Sequence, residues 1–313
     1  AGLFDRANEQ ELPRVEGIPV NSDIRDCIAP DRNPRKPNIT LPKGSIDTHV
    51  HVFEDKYPLS PGRGYNPPES NLDDLKHLHA TLGIDRVVFT QPSVYGTDNS
   101  AILDGMNALN AETPNRARGV CAMTMDFTDA QLQDLDYQGI VGVRLNIDNK
   151  GGMPLELDQI AELEARIKPF NWHIEWLFPG KDIVALMPVF EKMTTPMSIG
   201  HFAYQPAAAG VEAEGFQALL KLVRDGNTWI KISGANRVSA TDLPPYDDCQ
   251  PMARALIEAN EERVIWGTDW PHPNKYEVNP NDADPVEAFG LWVPDEGIRQ
   301  KIMVTNSEAF YRF

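Results

Sequence analysis

Cysteine is scarce. Cys27, Cys121 and Cys249 are widely scattered in 313 residues and show no C-x-x-C spacing. They neither staple a fold nor build a zinc knuckle, and the usage fits a reducing cytoplasm. Positive charge is scarce too, with 29 Lys plus Arg against 46 Asp plus Glu and a net charge of -17. A phosphate backbone is bound chiefly by clustered Lys and Arg, so the balance argues against nucleic acid and anionic membrane as partners. It leaves room for a small anionic ligand, which two or three buried arginines suffice to hold. No run approaches the ~18 apolar residues of a membrane span, and the first residues lack the basic region followed by an apolar segment of a secretory leader. No G-x-G-x-x-G or Walker loop follows any apolar run, which weakens a nucleotide-binding reading.

What is present is ordinary in bulk and rhythmic in detail. The hydrophobic fraction of 41% and charged fraction of 24% are those of a globular protein able to bury a large core. Residues 1–44 are rich in Pro, Asn, Asp, Glu and Arg, with too few apolar residues for a core face. They read as an extended N-terminal arm lying over a single domain of residues 45–313. From Gly44 onward, short apolar runs at 46–53, 86–90, 118–123, 139–147, 173–178, 197–201, 229–233 and 264–268 alternate with helical patterns at 72–82, 100–111, 129–137, 157–167, 182–193, 215–223 and 251–259. Eight strand-helix repeats with buried strands predict a closed (β/α)8 TIM barrel, an α/β fold. The aromatic tail, with Trp292, Phe310, Tyr311 and Phe313, is expected to pack as terminal helices on the barrel's outside, with no chemical role.

In such a barrel, catalytic groups sit where strands end. The first strand supplies His49 and His51, one residue apart and therefore expected on one face. The second runs into Ser93 and Tyr95, whose hydroxyls can line a pocket, and the fourth ends at Arg144. The sixth ends at His201, the seventh gives Lys231 and Ser233 followed by Arg237, and the eighth gives Asp269 and then His272. Each has a plainer reading: Arg144 as an ion-pair partner inside the barrel, His201 as a satisfied core histidine, Asp269 as a turn cap, Ser93 and Tyr95 as loop packing. Their coincidence at one rim favours chemistry. His77 and His79, on the first helix among leucines, are assigned none.

The run Ile46-Asp47-Thr48-His49-Val50-His51 and the run Trp266-Gly267-Thr268-Asp269-Trp270-Pro271-His272 resemble the first and last signatures of the amidohydrolase superfamily, most closely its lactonase branch. Residues 91–99, Trp172-His173-Ile174-Glu175 and Ser233-Gly234 followed by Arg237 support the resemblance, which covers about 44–313 and leaves out the arm. It implies a hydrolase acting on a carboxylic ester: one that opens a small anionic lactone of the sulfomuconolactone or pyrone-dicarboxylate type in aromatic-compound catabolism. Binuclear members carry a carboxylated lysine where this chain has Arg144, so a two-metal site is not expected. Two possibilities follow from the resemblance. Either no cofactor is required and the histidines hold the carbonyl oxygen directly, or one divalent metal, zinc by its N3O donors, is bound by His49, His51, His201 and Asp269. The metal-free version is preferred.

Lactone hydrolysis needs a base for the water and a positive environment for the carbonyl oxygen. Asp269 is the expected base; His49, His51 and His201 are expected to polarise the carbonyl, with His272 either orienting Asp269 or packing its turn. Arg144 and Arg237 are expected to take the anionic groups of the substrate, with Ser93 and Tyr95 adding donors, and Lys231 is ambiguous. The competing readings are a zinc-dependent decarboxylase of an aromatic or muconate-type acid, a sugar-acid lactonase, and a non-catalytic binder of sugar acids.

Overall fold

A computed structural model describes residues 24–148, 151–241 and 243–313. Eight parallel strands form one sheet in sequence order: β1 (Ile46–Val50), β2 (Arg86–Thr90), β3 (Ala117–Cys121), β4 (Ile140–Asn146), β5 (His173–Leu177), β6 (Met197–Ile199), β7 (Thr228–Lys231) and β8 (Val264–Ile265). The chain is the expected (β/α)8 barrel. Between the strands run α1 (Leu72–Leu82), α2 (Ser100–Glu112), α3 (Asp129–Tyr137), α4 (Ile160–Ile167), α5 (Ile183–Lys192), α6 (Glu214–Arg224), a short α7 (Ala235–Val238) and α8 (Gln250–Asn260). Local sequence sets these ends. Asn71 and Asp74 close a capping box before α1 and Thr128 and Gln131 another before α3, each satisfying N–H groups that a helix start leaves free. Gly83 ends α1 at φ +80, where a side chain would be strained.

The strand β8 is short, and the residues after it bond to the first strand. Thr48 N and Oγ1 both donate to the Trp266 carbonyl, at 3.2 and 2.8 Å. Asp269 N donates to the His49 carbonyl and His51 N to the Trp270 carbonyl, each at 3.0 Å. The two chain segments that carry the histidine and aspartate motifs are therefore the seam that closes the barrel. Gly267 makes the approach possible, since a Cβ there would lie 2.8 Å from His49 N.

The pairing of β1 with β2 shifts register between Asp47 and Val50. Such a bulge reverses the facing of the residues beyond it. Before it, Ile46 joins Val88, Val120, Val141 and Ile265 in a cluster around Tyr311 at the bottom of the barrel. Val50 belongs to the larger outer core, while His49 and His51 line the cleft at the top.

The tail departs from expectation. It forms α9 (Ala283–Trp292), α10 (Glu296–Gln300) and α11 (Asn306–Tyr311), but α11 does not lie on the outside. Tyr311 is fully buried and plugs the barrel floor, with Phe310 packed on the His173 and Trp229 rings at 4.3 and 4.5 Å. Apolar strand residues at the bottom need a cover, and the C-terminal aromatics supply it. Of the expected arm, residues 1–23 lie outside the described residues. The stretch 24–44 is tied across the molecule: Cys27 N donates to the Asn66 carbonyl at 2.9 Å, and Arg35 pairs with Asp284 and Glu287 at 2.5 and 3.2 Å.

Candidate active site

Asp269 stands at the centre of the barrel's top, buried to within 1% of its surface. Its backbone holds φ +63, a left-handed conformation uncommon outside glycine, which turns the carboxylate back over the strand ends. Oδ2 accepts from Arg237 Nε at 2.6 Å. Oδ1 faces His201 Nε2 at 3.4 Å and His49 Nε2 at 3.8 Å. Burial alone would push this carboxyl up; the charge and hydrogen bond of Arg237, aided by His201 and His272, outweigh it and hold Asp269 well below the usual carboxylate range.

The three imidazoles are held from behind. His51 Nδ1 donates to the Thr90 carbonyl at 2.7 Å. His201 Nδ1 lies 2.9 Å from Ser233 Oγ, and a Cβ on Gly234 would strike that ring. His201 opens a stretch, 201–204, of four non-glycine residues with φ between +53 and +54. A left-handed turn costs about 1–2 kcal/mol per residue, and this one brings Tyr204 within 5.5 Å of the His201 ring. Burial lowers His51 and His201 to about 3, so both are neutral at physiological pH. His49 is also pushed well down, first by burial and then by Lys231.

Below the imidazoles lies a buried ion pair. Lys231 Nζ contacts Glu175 Oε2 at 2.8 Å, the Thr48 carbonyl at 2.8 Å and His49 Nδ1 at 3.1 Å. Arg144 and Glu175 are register partners on β4 and β5, and Arg144 Nε lies 3.7 Å from Glu175 Oε1. A further hub sits behind the seam: Asp47 accepts from Thr268 N and Oγ1, at 2.9 and 2.6 Å, and from His49 N at 3.2 Å, while His79 Nε2 lies 2.9 Å from its Oδ2. His79 has no place in the cleft and serves instead to anchor both motifs to α1.

The cleft spans about 470 Å³ with its open mouth. Of the residues singled out from sequence, His49, His51, His201, Asp269, Ser93, Arg144 and Arg237 all line it. Tyr95 does not. The single turn Ser93–Tyr95 points Ser93 inward and leaves the Tyr95 hydroxyl against the Glu54 backbone, 3.3 Å from its N–H. The tyrosines at the cleft are Tyr65 and Tyr204, which no spacing pattern marks because loops deliver them. Arg237 reaches the cleft but is tied behind Asp269, with Nη2 donating to the Pro273 carbonyl at 2.5 Å. His272 is held by Asp282 at 2.7 Å; its other nitrogen is 4.0 Å from Asp269, too long for a hydrogen bond. Lys231, ambiguous by sequence, points inward below the histidines, and Glu175 is a site residue whose role the sequence left unassigned.

Metal ligation has a candidate set. One donor atom each of His49, His201 and Asp269 lie within 4.8 Å of one another, and His51 falls outside that group. Against a metal stand Arg237 on one Asp269 oxygen and the Lys231 amine behind His49.

A parallel eight-stranded barrel with imidazoles and a carboxylate converging at its C-terminal rim defines a barrel enzyme. The chain belongs to the amidohydrolase family, whose model matches residues 46–313. It is 33% identical over 289 residues to 2-pyrone-4,6-dicarboxylate hydrolase of Comamonas testosteroni, covering 89% of this chain and 93% of that one. It is likewise 33% identical over 293 residues to 4-sulfomuconolactone hydrolase of Hydrogenophaga intermedia, covering 91% and 94%. Among solved structures, a probable 2-pyrone-4,6-dicarboxylic acid hydrolase of Acinetobacter baumannii with citric acid bound superposes with a TM-score of 0.74 at 28% identity, over 86% of this chain and 100% of that one. No helix among the described residues is long and apolar enough to cross a membrane.

Proposed function

We propose that this enzyme hydrolyses a small anionic lactone of the pyrone-dicarboxylate or sulfomuconolactone kind, of the sort formed in breaking down aromatic compounds. One observation carries the reading: Oδ1 of Asp269 lies 3.4 Å from His201 Nε2 and 3.8 Å from His49 Nε2 in one cleft that also holds Arg144. A base for water and a polar cradle for a carbonyl oxygen are what ester hydrolysis needs, and the relatives' names supply the class of ester.

Asp269 Oδ1 takes a proton from water as the oxygen attacks the lactone carbonyl. Charge that builds on the carbonyl oxygen falls beside the buried imidazoles of His49 and His201. As the ring C–O bond breaks, Asp269 returns its proton to the leaving oxygen, and the product carboxylic acid ionises to the medium. Arg144, buried and carrying a planar fork at the cleft wall, takes a carboxylate or sulfonate of the substrate; Arg237 acts chiefly on Asp269. No metal is needed in this scheme. We place the enzyme in the cytoplasm, where the thiols of Cys27, Cys121 and Cys249, all free, stay reduced. A screen of anionic lactones by proton release, with and without chelator, tests the reading: ring opening that survives the chelator supports it, and no opening of any anionic lactone refutes it.

A further inference from the structure

The two imidazoles of the first strand do not offer the cleft the same chemistry. His51 Nδ1 sits 2.7 Å from the Thr90 carbonyl, which can only accept, so neutral His51 keeps its proton on Nδ1 and turns the Nε2 lone pair forward. His49 is the reverse. Its Nδ1 lies 3.1 Å from Lys231 Nζ, whose other contacts are the Thr48 carbonyl and Glu175 Oε2, each at 2.8 Å. An ammonium has three N–H bonds and no lone pair, and here it meets three acceptors. The His49 nitrogen that accepts must be bare, which puts the ring proton on Nε2. That atom is buried, has no hydrogen-bond partner among the described residues and looks across 3.8 Å at Asp269 Oδ1. The converse arrangement, a neutral amine accepting from Nδ1–H, would leave Glu175 a buried anion with its nearest guanidinium nitrogen, Arg144 Nε, only at 3.7 Å.

We propose that Lys231 is a positioning residue that fixes His49 as an Nε2–H donor aimed at the lactone carbonyl oxygen and, by the same contact, withholds the lone pair a metal ion requires. The target of the donor rests on the lactonase reading above; the tautomer does not. A cation bound by His49, His201 and Asp269 would need the His49 proton moved to Nδ1, into the face of a cation 3.1 Å away. His51, edge-on to His49 with ring centroids 5.0 Å apart, offers a lone pair and so suits a hydrogen of the attacking water. Donor and acceptor thus stand side by side on one strand, held in opposite tautomers by an amine and a carbonyl.

The tautomers can be read in the unaltered enzyme by NMR of histidine ring nitrogens, with His49→Gln identifying the His49 signals. The expected result is His49 protonated on Nε2 and His51 on Nδ1; His49 protonated on Nδ1 overturns the proposal. A second measurement follows zinc alone, by equilibrium dialysis, in the unaltered enzyme, Lys231→Met and Lys231→Arg. With methionine in place, His49 Nδ1–H can turn to Glu175 Oε1, 3.7 Å away, and Nε2 is freed. Zinc affinity then rises about 10- to 100-fold, the size of effect that a residue behind a metal-ligating histidine has, here with the opposite sign, while kcat falls with KM little changed and Lys231→Arg behaves as the unaltered enzyme. Zinc held tightly by the unaltered enzyme, or equal zinc affinity in all three proteins, overturns the proposal. Neither the NMR nor the zinc readout uses a lactone, so failure of the lactonase reading would appear separately, as an absence of ring opening with these results intact.

Discussion

Arg237 Nε donates to Asp269 Oδ2 at 2.6 Å, so the same carboxylate is anchored on one oxygen and open to the cleft on the other. The contact holds Asp269 ionised in a site where burial would otherwise protonate it. Replacing Arg237 with Gln removes that hold. The carboxyl then rises, a protonated Asp269 cannot take a proton from water, and the acid limb of the kcat/KM profile moves to higher pH. A profile whose acid limb stays where it is in the unaltered enzyme would show that Arg237 does not set the base.

Arg144 is the cleft guanidinium proposed to receive the substrate, since its one hydrogen bond among the described residues, Nη1 to the Gln91 carbonyl at 3.0 Å, leaves other N–H groups at the wall. A hydrogen bond to a charged group contributes about 1.5–3 kcal/mol. Arg144→Met is therefore expected to raise KM for a dianionic lactone by roughly tenfold to a hundredfold with a smaller change in kcat, and to leave KM for an uncharged lactone alone. Steady-state kinetics on the two substrates separates these outcomes.

Asp47 is a stability residue behind the proposed site. Its carboxylate receives Thr268 N and Oγ1 and His49 N, and meets His79, all in fully buried surroundings. Asp47→Ala leaves those donors without partners, and a buried charged network broken on one side costs about 3–5 kcal/mol. Denaturant unfolding of the variant measures this directly, and a loss below about 1 kcal/mol would mean that the seam is held elsewhere.

His173 gives a clean view of acid instability because it lies on the barrel floor, away from the chemistry. Burial lowers it to about 3 from an ordinary 6.5. Between those values the unfolded chain binds a proton that the folded one refuses, so stability rises with pH across the window and falls on acidification from about 6.5 towards 3. One such group contributes up to about 1.4 kcal/mol per pH unit. His173→Gln should flatten the dependence of unfolding free energy on pH between 6.5 and 4 by about that slope; an unchanged slope would show that the ring is charged in the fold.

Much of the architecture was legible in the chain because it follows from periodicity. Eight apolar runs alternating with helical patterns give the barrel, and the motif residues His49, His51, His201 and Asp269 sit at strand ends where such a barrel gathers its chemistry. What stayed hidden depends on geometry that periodicity does not encode. The register shift after Asp47 sends Ile46 to the floor and both histidines to the cleft. A left-handed turn from His201 to Tyr204 brings a tyrosine that no spacing rule marks, while Tyr95, five residues past the end of β2, turns away. Arg237 looked like a substrate ligand because an arginine at a rim reads so; that it lies behind Asp269 depends on the short helix α7, too brief to show a period. The tail's aromatics read as outer packing, since nothing local marks a segment that returns to plug the floor.

The most direct test of the account follows proton release from a dianionic lactone in the presence of chelator, for the unaltered enzyme and for Asp269→Asn. Proton transfer by a positioned side chain contributes about 10²–10⁴-fold to a rate, so the variant is expected to open the ring slower by that factor while its fold and substrate binding persist. Ring opening by Asp269→Asn at the rate of the unaltered enzyme would contradict the account.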